Sequence, residues 1–443
     1  MKIEVYKKNS KIQFISDDSR ELLSGECNAK NCAFLITKGN IKYLDSAKEN
    51  GFKEFITPQD LKDFLDLNLK IVGITGTNGK TTTAAMIYSI LLDLGHRVAL
   101  LGTRGFFINK KQVRNKGLTT PSLLEIYSAI KEAREQKCDY FIMEVSSHAI
   151  TQNRIEGLEF TLRILTNITS DHLDYHKTLQ NYIDTKNSFF ANPLDLKLIN
   201  KDEKNAKYAL NRAITYGIES AATLSVNAYS LNDGITAQIS YGKESATLNL
   251  SLFGKHNLCN ALAAIGALKL LENVPLEKIC NALENFGGVK GRLEVVSCNP
   301  LILVDFAHTE DGFQKIFESF LHKKISVVFG AGGDRDKSKR PKMGQCAAKY
   351  AAKIYITSDN PRSENPLEIM QEILAGIPQE LRNRRKIILE ENRKNAIEIA
   401  IKNLEKDEIL LILGKGDEEY QIIGDKTLPF SDIAVAKEIL QHL

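Results

Sequence analysis

The spacing of apolar residues along this chain changes character several times, and each change predicts a different kind of element. From residue 69 onward, short apolar runs alternate with stretches whose apolar positions recur every three or four residues. The runs Leu69–Gly73, Arg97–Gly102, Tyr140–Val145, Leu162–Ile168 and Leu196–Asn200 read as strands, and Thr81–Leu94, Pro121–Gln136 and Leu179–Phe190 as helices. Strands buried on both faces and separated by helices of about 10 to 15 residues predict a parallel sheet covered on both sides. Between Thr223 and Leu252 the period becomes two, with turns at Asn232-Asp233-Gly234 and Gly242-Lys243. That pattern predicts an antiparallel meander at the edge of the same sheet. Two helices, Asn257–Leu271 and Pro275–Phe286, lead to the Gly-rich joint Gly287-Gly288-Val289-Lys290-Gly291.

After that joint the alternation restarts. The apolar runs Leu301–Val304, Ile325–Phe329, Lys353–Thr357, Lys386–Leu389 and Ile409–Leu413 are separated by helical patterns, and a helix near Asp432–Leu443 closes the chain. Residues 1–67 hold short strands and one helical stretch, Ile41–Asn50. The expectation is an α/β protein of three domains: a small N-terminal α/β domain (1–67), a central doubly wound parallel sheet with an antiparallel edge (68–291), and a Rossmann-like C-terminal domain (292–443), hinged near 287–292.

Composition changes this picture little. At 443 residues the chain exceeds what a single core supports. With 43% hydrophobic and 26% charged residues it has the make-up of an ordinary soluble protein. A net charge of +4 gives no argument for nucleic acid. No apolar run approaches the roughly 20 residues that span a bilayer. Met1-Lys2-Ile3-Glu4-Val5 lacks the apolar core of a signal peptide. Seven scattered cysteines without a CxxC pair suit reduced thiols in a cytoplasm.

The richest chemistry lies between the first strand and first helix of the central alternation, in Gly73-Ile74-Thr75-Gly76-Thr77-Asn78-Gly79-Lys80-Thr81-Thr82-Thr83. A glycine-rich turn there aims backbone N–H groups at a phosphate chain, and the helix dipole adds favourable potential. Lys80 can neutralise terminal phosphates and the Thr81 hydroxyl can ligate Mg²⁺. The spacing is shorter than in the usual P-loop, since two residues separate Gly76 from Gly79. ATP or a relative is the expected ligand.

Other candidates stand at strand ends, where open α/β sheets bind ligands. Glu144, closing Tyr140-Phe141-Ile142-Met143, is placed to hold Mg²⁺ beside a triphosphate. Asp171-His172-Leu173-Asp174-Tyr175-His176 suggests a second metal or phosphate site, against a plain solvated loop. Lys186, on a helix, reads by itself as an ordinary solvent-facing charge. In the last domain three charged loops follow strands: Gly330–Asp336, Ser358–Arg362 and Gly414–Glu418. Arg335, Asn360 and Arg362 can grip a carboxylate, and Asp359 or Glu418 an ammonium, which suits an amino acid.

Taken in order, these motifs resemble those of the Mur ligases, the ATP-dependent amino-acid-adding enzymes of peptidoglycan synthesis. The likeness runs through Gly-Thr-Asn-Gly-Lys-Thr-Thr (76–82), Leu-Thr-Thr-Pro (118–121), Glu-Val-Ser-Ser-His (144–148) and Asp-His-Leu-Asp-Tyr-His (171–176). It continues through Gly-Lys-His-Asn (254–257), Gly-Arg (291–292), Val-Asp-Phe-Ala-His-Thr (304–309) and Gly-Gly-Asp-Arg-Asp (332–336). Leu-Thr-Thr-Pro and Asp-Asn-Pro-Arg (359–362) are similar to the MurE type, which adds the third residue of the stem peptide, and the second motif accompanies meso-diaminopimelate.

The resemblance implies roles that spacing alone does not. Gly76, Thr77, Asn78, Gly79, Lys80, Thr81 and Thr82 would cradle the ATP phosphates, with Arg292 and Arg340 nearby and Asn257, Asn260, Asp305 and His308 near the adenosine. Lys186 would be a carbamate and, with His172, Glu144 and Thr81, hold Mg²⁺; two ions are implied. Lys80, Lys186 and His172 would be the catalytic set. Ser19, Thr119, Thr120, Ser146, Gln152 and Arg154 would bind a UDP-muramoyl dipeptide. Arg335, Asp359, Asn360, Arg362, Gly414 and Glu418 would bind diaminopimelate. Asp417 departs from the family's usual histidine in that loop, and the first domain is shorter than usual. The implied activity is a cytoplasmic, monomeric ligase of cell-wall synthesis, with consequences for cell shape and division, that works through an acyl phosphate. The alternatives are a lysine-adding MurE, a MurF-type ligase or a folylpolyglutamate synthase-like ligase; a P-loop NTPase switch or motor would need neither the Thr119-Thr120 loop nor the 359–362 loop.

Overall fold

The computed structural model describes residues 1–5, 10–25, 27–232 and 234–442; Asp233 of the anticipated turn and Leu443 at the end of the last helix lie outside the described residues. The largest sheet has eleven strands. At its centre Lys70–Thr75 lies between Tyr140–Glu144 and Leu162–Leu165, parallel to both. Val98–Gly102 continues the parallel set on one side, and Lys197–Asn200, Ala213–Gly217 and Leu224–Ser230 continue it on the other. Apart from the exposed Lys70, these central strands are buried along their length because helices cover both faces, which is why their sequences are apolar runs without alternation.

Both edges are antiparallel. Leu224–Ser230, Ile235–Tyr241 and Glu244–Leu250 form the meander that the two-residue period predicts. The opposite edge is a hairpin the sequence pattern missed, Gly105–Ile108 with Lys111–Arg114. Its two turn residues, Asn109 and Lys110, have φ of 46° and 74°. That is the two-residue hairpin geometry usually announced by Asn-Gly, and lysine at the second position hides it.

Helices Lys80–Asp93 and Lys255–Glu272 pack on one face of this sheet over Val72, Ile74, Ile142 and Ile164. The other face, under helix Leu123–Glu135, shares one core with the N-terminal segment: Ile3, Ile15, Leu35, Ile56 and Leu61 pack in the same cluster as Ala99, Phe106, Ile126, Ile130 and Phe141. The N-terminal segment forms its own four-stranded sheet, Lys2–Glu4, Phe14–Ser16, Cys32–Leu35 and Glu54–Ile56. The expected helix Ile41–Asn50 resolves into a 3₁₀ turn, Ile41–Tyr43, and a short α-helix, Leu44–Glu49.

A third sheet has the order Glu294–Cys298, Leu301–Asp305, Glu408–Leu413, Lys324–Phe329, Lys353–Ile356 and Lys386–Leu389. It is parallel except for its first strand, an unanticipated antiparallel edge. Separate apolar clusters fill its two faces. Among the described residues no helix is long and apolar enough to cross a membrane.

Candidate active site

Strand Lys70–Thr75 delivers the glycine-rich loop and helix Lys80–Asp93 carries it away. The end of the neighbouring strand clamps this loop. Thr77 N–H donates to the Asn167 carbonyl at 2.8 Å, Asn78 N–H to Asn167 Oδ1 at 2.9 Å, and Thr166 Oγ1 to the Asn78 carbonyl at 2.7 Å. Gly79 caps the helix at φ 84°, and a Cβ there would stand 2.2 Å from Asn260 Oδ1. Only glycine meets both demands. Asn260 in turn donates to Asn257 Oδ1, so helix Lys255–Glu272 reaches the loop through these two amides.

Two lysines meet at one oxygen. Lys80 Nζ donates to the Gly76 carbonyl at 2.7 Å and to that of Thr77 at 2.9 Å, while Lys186 Nζ donates to the same Gly76 carbonyl at 2.9 Å. Lys186 is 1% exposed and lies over the Tyr182 ring. Burial pushes its amine well below the ordinary lysine value, and the neighbouring Lys80 charge pushes the same way. Lys80 is also lowered by burial, with Glu144 and Asp171 pulling back. Far from being a solvent-facing charge, Lys186 is a buried amine whose surroundings disfavour its protonated form.

Thr81 Oγ1 donates to Glu144 Oε2 at 3.0 Å, and Thr103 donates to both oxygens of that carboxylate, at 2.9 and 3.2 Å. Glu144 is 2% exposed, held by hydroxyl and amide groups. His172 occupies a left-handed position, φ 55°, at the start of the short helix Leu173–His176. Burial pushes its imidazole down to about 4 against the pull of Asp171, and Lys80 and Lys186 push it the same way, so its ring is neutral with a lone pair to offer. Asp171 faces the same space: burial works against its charge, yet His172, His308 and Lys339 hold it below the usual carboxylate range.

The anticipated cluster of two acids and two histidines does not act as one unit. His176 turns inward, with Nε2 2.9 Å from Ser147 Oγ. Among the described residues no three His, Cys, Asp or Glu side chains form a metal-binding group.

On the C-terminal side, Arg292 covers the Phe306 ring at 4.6 Å, and its charge reaches Lys80. Asp305 accepts from Leu293 N–H and Ala307 N–H, both at 2.7 Å, and so shapes the turn that presents His308 toward Asp171. Arg340, expected near the phosphates, has its guanidinium fully buried inside the C-terminal body, bonded to Glu364 and Glu372 at 2.8 to 2.9 Å. The adjacent Lys339, lowered by burial and pulled back by Asp171, is the cation on the cleft side of that helix. Sequence reading also missed Asp311, whose Oδ2 accepts from loop residue Asn78 at 2.8 Å and from Thr169 at 3.1 Å. Their separations in sequence leave no local signal for this contact.

The residues expected at a muramoyl dipeptide form a bonded group. Thr120 Oγ1 donates to the Glu144 carbonyl and accepts from Ser146 N–H, both at 2.9 Å. Arg154 donates to the Thr120 carbonyl at 2.7 Å and to Gln152 Oε1. Thr119 meets Thr103 at 3.0 Å. Ser19 is buried in the N-terminal segment, where its carbonyl accepts from Asn50. The cation that crosses from that segment to this group is Lys38, unremarked in the sequence, whose Nζ donates to the Thr151 carbonyl at 3.1 Å.

The three C-terminal loops converge. Arg362 Nη1 donates to the Gly333 carbonyl at 2.7 Å, beside Arg335. Asn360 Nδ2 donates to Glu418 Oε2 at 2.9 Å, and the Asp359 carboxylate lies against Gly414. Lys415, fully buried, joins Asn360 Oδ1 at 3.1 Å to Glu418 Oε2 at 2.8 Å. The Glu418 carboxylate thus already has a cation, and an incoming ammonium would share it.

The family model for the Mur ligase middle domain matches residues 74–268, and that for the Mur ligase glutamate ligase domain matches residues 291–416. The chain belongs to the Mur ligase family. It is an ATP-dependent, amide-forming enzyme of that group. A protein of Wolinella succinogenes named UDP-N-acetylmuramoyl-L-alanyl-D-glutamate–2,6-diaminopimelate ligase is 56% identical over 430 residues, 97% of this chain and 96% of its own length. The Helicobacter pylori protein of the same name is 53% identical, with 97% and 96% covered. A solved structure under that name superposes with a TM-score of 0.68 at 26% identity, covering 97% of this chain and 95% of its own. The fold extends to the Mycobacterium tuberculosis folylpolyglutamate synthase complexed with ADP, TM-score 0.64 at 17% identity, covering 81% and 88%.

Proposed function

We propose that this protein joins meso-2,6-diaminopimelate to UDP-N-acetylmuramoyl-L-Ala-D-Glu, and that it does so with the residues assembled above. The observation that carries the reading is the C-terminal loop group. Arg335 and Arg362 flank one strand end while Asn360, Lys415 and Glu418 interlock beside them, so guanidinium and carboxylate stand within one small crevice. That mixture suits a ligand carrying both carboxylates and ammonium groups. The high identity to the two named relatives supports the same choice.

The three larger sheets support a division into an N-terminal part (1–67), a central ATPase part (68–291) and a C-terminal amino-acid part (292–443). ATP, when bound, supplies the phosphoryl group that converts the D-glutamyl carboxylate into an acyl phosphate, and Mg²⁺ supplies charge neutralisation. The loop Gly76–Thr82 would hold the phosphates, with Lys80 balancing their charge and Arg292 and Lys339 approaching from the other side. Asn257, Asn260, Asp305 and His308 would adjoin the nucleoside. Thr81, Glu144 and His172 would hold the metal together with Lys186. Its neutral amine is the form that adds to CO₂, and the resulting carbamate would turn a poor metal neighbour into an oxygen ligand for a hard cation. Thr119, Thr120, Ser146, Gln152 and Arg154, with Ser19 further off, would position the acceptor. The chain's contribution is placement and charge stabilisation.

The test is ADP release with the UDP-linked dipeptide and a panel of acceptor amines. Turnover is expected with meso-diaminopimelate and only when both substrates are present. Turnover with a folate and glutamate, or equal efficiency with lysine, would overturn the reading.

A further inference from the structure

Where the loop leading to Thr119 comes nearest the C-terminal sheet, Lys116 Nζ lies 3.3 Å from Asp417 Oδ1. Lys116 sits between strand Lys111–Arg114 and helix Leu123–Glu135, and Asp417 sits after strand Glu408–Leu413. The side chains are 32% and 13% exposed, so the carboxylate is largely withdrawn from water. Freely solvated pairs contribute little, but this one is partly sheltered. Lys116 also faces the Phe306 ring, which Arg292 covers and His308 meets edge-on. Asp417 is seated firmly: a Cβ on Gly291 would stand 2.1 Å from its backbone nitrogen, so its loop rests on the hinge between the two sheets. Three residues beyond Lys116 is Thr119, and the residue after Asp417 is Glu418.

We propose that Lys116 and Asp417 are a positioning pair that couples docking of the UDP-linked acceptor at Thr119-Thr120 to docking of the diamino acid at Asn360 and Glu418. The inference rests on the function proposed above. Whichever substrate docks first fixes its own loop, and through the pair it presents the other loop to the second substrate. Such coupling is reciprocal, so each substrate should tighten the other by the same factor.

The experiment compares the wild-type protein with Lys116→Gln, Asp417→Asn and the reversed pair, Lys116→Asp with Asp417→Lys. The Kd of meso-diaminopimelate is measured by calorimetry with and without saturating UDP-dipeptide, and kcat and melting temperature are measured alongside. Wild-type protein should show the acceptor tightening the diamino acid, less so at high salt. Each single variant should lose that tightening by about fivefold or more. At saturation of both substrates kcat should stay within about threefold. The reversed pair should recover part of the coupling, which mere disruption of folding would not allow. Single variants with wild-type coupling, or a reversed pair no better than either, would overturn the proposal. Failure of the functional reading looks different, because the wild-type protein would then form no amide from these substrates.

Discussion

Lys80 and Lys186 share the Gly76 carbonyl but do opposite things with their nitrogen. Lys80 has Glu144 and Asp171 pulling against the burial that lowers its pKa, and in the proposed mechanism it is the cation of the pair. Lys80→Ala should lower turnover by about a hundredfold or more, the scale of one lost charge-stabilising contact; the fold should be intact by circular dichroism. Lys186 is the reverse case. Its folded-state pKa lies below the ordinary lysine value, so between the two values the unfolded chain binds the extra proton, and stability rises with pH in that window. Lys186→Met should therefore melt higher than wild type at neutral pH in bicarbonate-free buffer, while its ligase activity falls below about a hundredth. Small carboxylates should restore part of the activity of Lys186→Ala. Equal melting temperatures, or unchanged activity without CO₂, would count against a neutral, carbamylating amine. At the amino-acid loops, Arg362 is the group able to meet a far carboxylate with two parallel hydrogen bonds. Lysine lacks that carboxylate and leaves the guanidinium short of a partner, a mismatch that can be worth roughly 10⁴-fold in kcat/KM. Arg362→Ala should lose the preference mainly by losing activity toward diaminopimelate, read from kcat/KM for both amines.

At the scale of elements, the legible parts are those whose chemistry is contiguous in sequence. The loop Gly76–Thr82, Glu144 at its strand end and the three C-terminal loops all announce themselves by an apolar run followed by polar residues, and the structure brings each group to a strand end. What spacing could not supply depends on rotation or distance. Lys339 and Arg340 are neighbours on one helix, and about 100° of rotation per residue sends one to the cleft and the other into the body. Asp311 and Lys38 act across long separations and carry no local pattern. Lys186 is placed by a helix whose buried face holds Tyr182 and Ile183, and only family resemblance singled it out. The glycine-rich turn offers an element-scale test. Gly79→Ala forces a side chain into a left-handed position and against Asn260, a strain of about 1–3 kcal/mol. Loss of ATP affinity is expected, measured by calorimetry, together with a lower melting temperature.

Across the whole molecule the three larger sheets differ in how self-sufficient they are. The C-terminal sheet has its own clusters on both faces, whereas residues 1–67 complete a core that belongs equally to Ala99, Phe106 and Ile130. A chain beginning at Leu69 should expose that face and sediment as aggregates, while one beginning at Gly291 should remain monomeric and unfold cooperatively. A soluble, cooperatively folding 69–443 fragment would contradict the shared core.

That shared core also has a history in time. During synthesis the segment holding Ile3, Ile15, Leu35 and Ile56 leaves the ribosome first, but the surface it rests against, from Ala99 to Phe141, follows tens of residues later. At roughly 5–20 residues per second the leading segment waits several seconds or more with its apolar side uncovered. That segment is thus the vulnerable one of the pair during synthesis, and slow codons or chaperone depletion between it and Phe141 should be felt there first.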